Sequence, residues 1–177
     1  YLEDLEAIQL ILSIKEEIKK YQAQKIVIID LHTTSSPGGI FTIVPNDHDS
    51  MRVALEMHAP VVLGMIEGIQ GTTMHYFTSE NLGVVCRSIT FESGQHEAES
   101  SVNVAISGIV ACMRGMGCFD SENVEGVHDQ LLINFSKTTI RGNIGAKAVA
   151  VEPGGKVIIP ASSTIDSRGM VSLNLRN

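Results

Sequence analysis

Four β-branched residues in a row, Ile26-Val27-Ile28-Ile29, run into Asp30-Leu31-His32 and then into the turn formers Thr33-Thr34-Ser35-Ser36-Pro37-Gly38-Gly39. A strand with one wet face alternates apolar and polar side chains, so an unbroken apolar run calls for burial on both faces. The segment is therefore expected to be a central strand of a sheet with helices on either side, with Asp30 and His32 emerging at its carboxyl end. In open α/β sheets ligands bind at that end. One segment thus constrains both the architecture and the position of any site.

The flanking sequence agrees with such a layer. Leu2, Leu5, Ile8, Leu12 and Ile18 recur at three- and four-residue steps with Glu16, Glu17, Lys19 and Lys20 between them, which predicts an amphipathic helix over residues 1–21. Residues 40–44 predict a second strand ended by Pro45, Ser50 is placed to cap a short helix from Met51 to about Met57, and residues 61–64 resume a strand after Pro60. Residues 83–91 read as another strand, Ser93-Gly94-Gln95-His96 as a turn, and residues 97–114 as a helix closed by Gly115 and Gly117. Strands alternating with helices predict an α/β fold, a mixed, mostly parallel sheet flanked by helices. From Phe119 onward the short runs Leu131-Leu132-Ile133, Ala148-Val149-Ala150-Val151 and Lys156-Val157-Ile158-Ile159 are separated by Gly, Pro, Asn and Ser. That change in texture divides the chain into an α/β domain at 1–118 and a small β-rich domain at 119–177.

Composition removes several classes of partner. A chain of 177 residues, 44% hydrophobic and 19% charged, has enough apolar matter to bury a core. Its formal net charge of −7 argues against a surface built to neutralise phosphates, so nucleic acid is not an expected partner. No apolar run reaches the ~18 to 20 residues that cross a bilayer, and no basic stretch precedes an apolar one at the start. Cys86, Cys112 and Cys118 form neither a C-x-x-C pair nor an even set, as expected of reduced thiols in a cytoplasmic protein. A homo-oligomer is left open. The chain starts without Met inside a helical pattern, so a preceding N-terminal part of the native protein is expected.

Two residues stand out chemically. Side chains alternate along an extended segment, so Asp30 and His32 share a face, and the carboxylate is placed to orient the imidazole. The alternative is that Asp30 caps the Thr33-Thr34 turn and His32 is a loop histidine. Glu92, in Ile89-Thr90-Phe91-Glu92-Ser93-Gly94, lies where a strand gives way to a turn, and a glutamate there can act as general base and then general acid. Its alternative role, with Ser93, is to satisfy free backbone N–H groups of the following helix. Arg87 is an odd number of residues from Glu92 and should face the other side of the sheet. Arg52 opens a helix after Asn46-Asp47-His48-Asp49, which reads as a solvated turn. His48, His58, His75 and His128 lack partners at ligand spacing, and Cys86 sits in an apolar strand without an activating base.

Asp30-Leu31-His32-Thr33-Thr34-Ser35-Ser36, Ala59-Pro60-Val61-Val62-Leu63-Gly64 and Thr90-Phe91-Glu92-Ser93-Gly94-Gln95-His96 together resemble the succinylglutamate desuccinylase and aspartoacylase family, relatives of the zinc carboxypeptidases. Glu152-Pro153-Gly154-Gly155-Lys156-Val157-Ile158-Ile159-Pro160 is similar to a stretch of that family's C-terminal β domain. The resemblance implies a zinc ion held by a His-x-x-Glu pair and one later His, with a position left open for water. His32 falls where the later His belongs, and Glu92 where the catalytic glutamate does. It further implies hydrolysis of the amide bond of an N-acyl amino acid, a small-molecule substrate, with a carboxypeptidase acting on peptide C-termini as the alternative within enzymes.

The sequence departs from the family at one place: the Gly-x-His-Gly-x-Glu loop that carries the His-x-x-Glu pair, and the substrate-gripping arginines after it, belong upstream of Leu2 and are not in this chain. A native N-terminal segment beyond this sequence is the expected explanation; a metal-free binding module derived from such an enzyme is the rival. His96-Glu97-Ala98-Glu99 is itself a His-x-x-Glu, and on a helix it would be a competing ligand pair with His32.

Overall fold

The structure is a computed structural model that describes residues 2–35, 39–66, 71–120 and 126–136, together with the backbone of five short strands between residues 140 and 172. Helix α1 (Leu2–Lys20) leads into β1 (Lys25–Thr34), followed by β2 (Phe41–Ile43), α2 (His48–Leu55), β3 (Val61–Leu63) and the short helices α3 (Thr73–Tyr76) and α4 (Ser79–Leu82). Then come β4 (Val85–Gln95), α5 (Ser100–Gly115) and α6 (Val127–Ser136). The remaining strands are β5 (Ile140–Ile144), β6 (Lys147–Val151), β7 (Lys156–Ile158), β8 (Thr164–Ile165) and β9 (Val171–Ser172). Four strands of the first 95 residues form a mixed sheet in the order β1-β4-β2-β3, and β7 adds to β3. Only the β2–β4 pair is antiparallel, so the sheet is mostly parallel and flanked by helices. The β5–β6 and β8–β9 pairs are separate antiparallel ribbons.

The expectation of a central β1 is corrected: among the described strands it lies at the edge, paired with β4 alone. Its apolar run has a different cause. Val27 and Ile29 pack on the main core, whereas Ile26 and Ile28 pack against Ile11, Ile14 and Ile18 of α1 together with Phe77 and Leu82. Both faces of the strand are covered, and face burial is what selects β-branched residues at successive positions. Pairing along the edges is a separate matter that such a run does not report.

Strand β4 lies inside the sheet, with β1 on one side and β2 on the other. Ile89 and Phe91 project from it into the main core with Ile40, Val44, Val53 and Val104, while Cys86 belongs to the cluster on the other face. Helix α5 lies on the core face, and Gly108 is the point of closest approach: a Cβ built there would stand 2.5 Å from the Phe91 ring and 3.1 Å from Met57 Cε. Any larger residue at 108 would push helix and strand apart, which explains a glycine in the middle of a helix despite its low propensity.

Two local expectations are also corrected. Helix α2 is capped by Asp47, whose Oδ1 accepts from the Asp49 and Ser50 amides, so Asn46-Asp47-His48-Asp49 is a helix start and Ser50 is a buried residue within the helix. Leu131-Leu132-Ile133 is not a strand but the middle of α6. A three-residue apolar run has no period to read, and helical spacing appears only when Leu132 and Ser136, four apart, are both buried.

Helix α6 is tied to α5 by a two-pronged ion pair, Arg114 Nη1 and Nη2 each 2.8 Å from an Asp129 oxygen, and by the Ser107 hydroxyl 3.0 Å from His128 Nδ1. The Arg114 guanidinium holds the Asp129 carboxyl below its usual range, burial opposing it and His58 assisting. A depressed folded-state pKa contributes stability that is present above the ordinary carboxylate pKa and lost as pH falls through the folded value. Asp129→Asn is accordingly expected to lower unfolding free energy by roughly 1–2 kcal/mol at neutral pH, between the worth of an exposed ion pair and that of a buried charged hydrogen bond. Urea titrations should show the gap between variant and parent closing as pH falls below the ordinary carboxylate range.

Candidate active site

Parallel pairing of β1 with β4 sets Asp30 opposite Thr90 and His32 opposite Glu92. Directly opposed residues project from the same face of a sheet, so the two candidate residues, 60 positions apart in sequence, are lateral neighbours. On its other side Glu92 is paired with Phe41 of β2. The carboxylate is thus set between an imidazole and an aromatic ring, not at a helix start. Just beyond, the register slips by one residue between His32 and Thr34, as β4 accommodates Ser93 and Gly94 in a bulge. Gly94 takes φ +112°, a conformation only glycine adopts readily, and the Ser93 hydroxyl donates to the His32 carbonyl at 3.0 Å. The bulge therefore pins the backbone of His32 from the neighbouring strand.

The side chain of His32 is held as well. Its Nε2 lies 3.1 Å from Asp30 Oδ1, and the Thr73 hydroxyl of α3 donates to Asp30 Oδ2. A carboxylate can only accept, so this contact favours the arrangement with a proton on Nε2, facing Asp30, and leaves Nδ1 on the far side of the ring. An imidazole held this way, one nitrogen fixed by a carboxylate and the other free, has the form of a metal-ligating or proton-accepting histidine. Glu92 is buried enough that desolvation pushes its carboxyl up; the Asp30 carboxylate adds to that, and His32 pulls the other way. Its Oε2 is buried without a hydrogen-bond partner among the described residues. A glutamate with a raised pKa and an unsatisfied buried oxygen is poised to take up and release a proton.

The other candidates are elsewhere. His96 Nδ1 is 2.7 Å from the Thr33 hydroxyl, and among the described residues His96 and Glu99 do not form a possible metal-holding group with His32. Among the described residues no three of His, Cys, Asp and Glu stand close enough to hold a metal ion. No complete zinc centre is therefore formed by the described residues alone. Arg87 reaches Asp49 and Asp47 of the α2 start, across the sheet from Glu92. Burial pushes the Cys86 thiol up, and its Sγ contacts the Phe77 carbonyl at 3.2 Å, the state of an inert thiol. A polar groove lined by Arg52, Glu56, His58, Arg114, Gly115 and Asp129 lies at the α5–α6 side, with most of its charges already paired to one another.

Sequence reasoning missed Thr73 and gave Ser93 another role, in a turn before a helix, where it instead donates to the His32 carbonyl from within β4. Thr73 had no signal, since nothing local marks which hydroxyl will meet a carboxylate 43 positions earlier.

No family model and no curated protein matches the chain. Among solved structures it is similar to a succinylglutamate desuccinylase/aspartoacylase from Rhodobacter sphaeroides, with 22% identity and a TM-score of 0.37. The match covers 50% of this chain and 27% of that protein, so the chain spans about a quarter of the relative's length. No described helix is long and apolar enough to cross a membrane.

Proposed function

We propose that the chain carries part of the active site of a zinc-dependent deacylase that hydrolyses the amide bond of an N-acyl amino acid. The observation that carries this reading is the buried, unsatisfied Glu92 carboxylate beside an imidazole that Asp30 holds with Nδ1 free. In it, His32 Nδ1 is one zinc ligand. Two further protein ligands are required from outside the described residues, since a hydrolytic zinc site has three. Zinc, when bound, supplies a Lewis acid and a water of lowered pKa.

The chain's own residues do the rest. Asp30 fixes the ring of His32 and Ser93 its backbone. Glu92 as the carboxylate would take the proton of the attacking water, and the acid so formed, which burial favours, would deliver that proton to the leaving amine. The same constellation serves cleavage of a peptide C-terminal residue, and the substrate assay decides between the two.

In the protein carrying its full ligand set, His32→Ala is expected to abolish stoichiometric zinc, measured by atomic absorption after dialysis. Undiminished zinc would remove His32 from the ligand set. Absence of zinc in the parent protein as well would favour a binding module that shares the fold without turnover.

A further inference from the structure

Asp30 has two oxygens with two different partners: Oδ1 faces His32 Nε2 and Oδ2 accepts from the Thr73 hydroxyl. Were the second contact absent, the Asp30 carboxylate, 23% exposed, would be free to turn about its Cβ–Cγ bond and leave the imidazole. With it, turning breaks both bonds at once. Thr73 is itself firmly placed. The next residue, Met74, is buried in the cluster of Ile43 and Val62, and Phe77 is buried with Leu82 and Cys86, its carbonyl accepting from Ser88 Oγ at 2.7 Å. Thus α3 is anchored to the sheet immediately after the hydroxyl.

Nor does the Thr73 side chain serve the helix it begins. The N-cap is Thr72, whose own hydroxyl lies against His75 Nδ1. The β-branched Thr73 has few χ1 rotamers, which limits where its hydroxyl oxygen can lie. We infer that Thr73 is a positioning residue: through Asp30 it sets which nitrogen of His32 is protonated and which is free. The inference rests on the reading of His32 as a functional imidazole and says what keeps it so.

The test compares Thr73→Val, which keeps the shape and loses the donor, with Thr73→Ser, which keeps the donor. Thr73→Ala stands in should the valine variant not fold. The ring ¹⁵N shifts of His32, recorded in the full chain without added metal and well above the ordinary imidazole range, report the tautomer. The parent and Thr73→Ser are expected to hold the Nε2–H form, and Thr73→Val and Thr73→Ala to show a mixture. Zinc affinity in the protein with its full ligand set should fall about 10-fold or more in the valine variant and recover with serine, the scale of an outer contact to a ligand. An unchanged tautomer in the variants without a donor, or a mixture in Thr73→Ser as well, overturns the inference. If the tautomer responds but the parent protein binds no zinc, the deacylase reading fails while the positioning role of Thr73 stands.

Discussion

Glu92→Gln is expected to retain the fold and any bound zinc while losing turnover by about 10²-fold or more, the scale of general acid–base catalysis. The amide matches the carboxyl in shape but cannot take a proton, so the loss should appear in kcat with little change in KM. Near-normal turnover would move the proton shuttle to another residue. The same substitution has a signature in stability. Burial raises the folded-state pKa of Glu92, so its contribution is fully present below the ordinary glutamate pKa and is lost as pH rises through the folded value. Replacing it with glutamine removes that loss. The variant should therefore gain stability relative to the parent between acidic and neutral pH, read from denaturant midpoints across that range. A functional residue that costs stability when ionised, and whose neutral replacement is more stable but inactive, is the pattern expected of a site group.

Phe91→Ala is expected to cost about 3–5 kcal/mol in unfolding free energy, measured by urea titration, and to sit toward the upper end of that range. Phe91 is fully buried, and its ring lies directly on Gly108 of α5. A glycine offers no side chain to swing into the vacated space, so the cavity can close only if helix and strand move together. A loss of under about 1 kcal/mol would mean that the ring is not the contact between α5 and β4. Because Glu92 is the next residue on the same strand, such movement should also reduce turnover in the folded variant.

Much of the local structure was legible because it is local. The apolar run of β1, the strands around residues 42 and 62 and the helix ending near Gly115 follow from period and from turn formers, which act over a few residues. Where two local devices competed, the reading failed: Asp47 and Ser50 are both good caps, and only the chain's entry into α2 selected Asp47. The three apolar residues at 131–133 were too few to distinguish a buried helix face from a strand. The edge position of β1 was not legible either, since side chains report which faces are covered and not which backbone edges are paired.

His32 and Glu92 divide along the same line. That Asp30 and His32 share a face is a consequence of strand alternation, available from the sequence as soon as the segment is taken to be extended. That Glu92 is the neighbour of His32 depends on β1 and β4 pairing in parallel and in one register out of several. That Phe41 closes its other side depends on β2 running antiparallel. Register is set by packing on both faces at once, by α1 below β1 and α5 above β4, among residues distant in the chain. The raised pKa of Glu92 and the hold of Thr73 on Asp30 exist only after those choices are made. Alternation along one strand is an intramolecular rule of a few bonds' reach; the meeting of two strands is an outcome of the whole core.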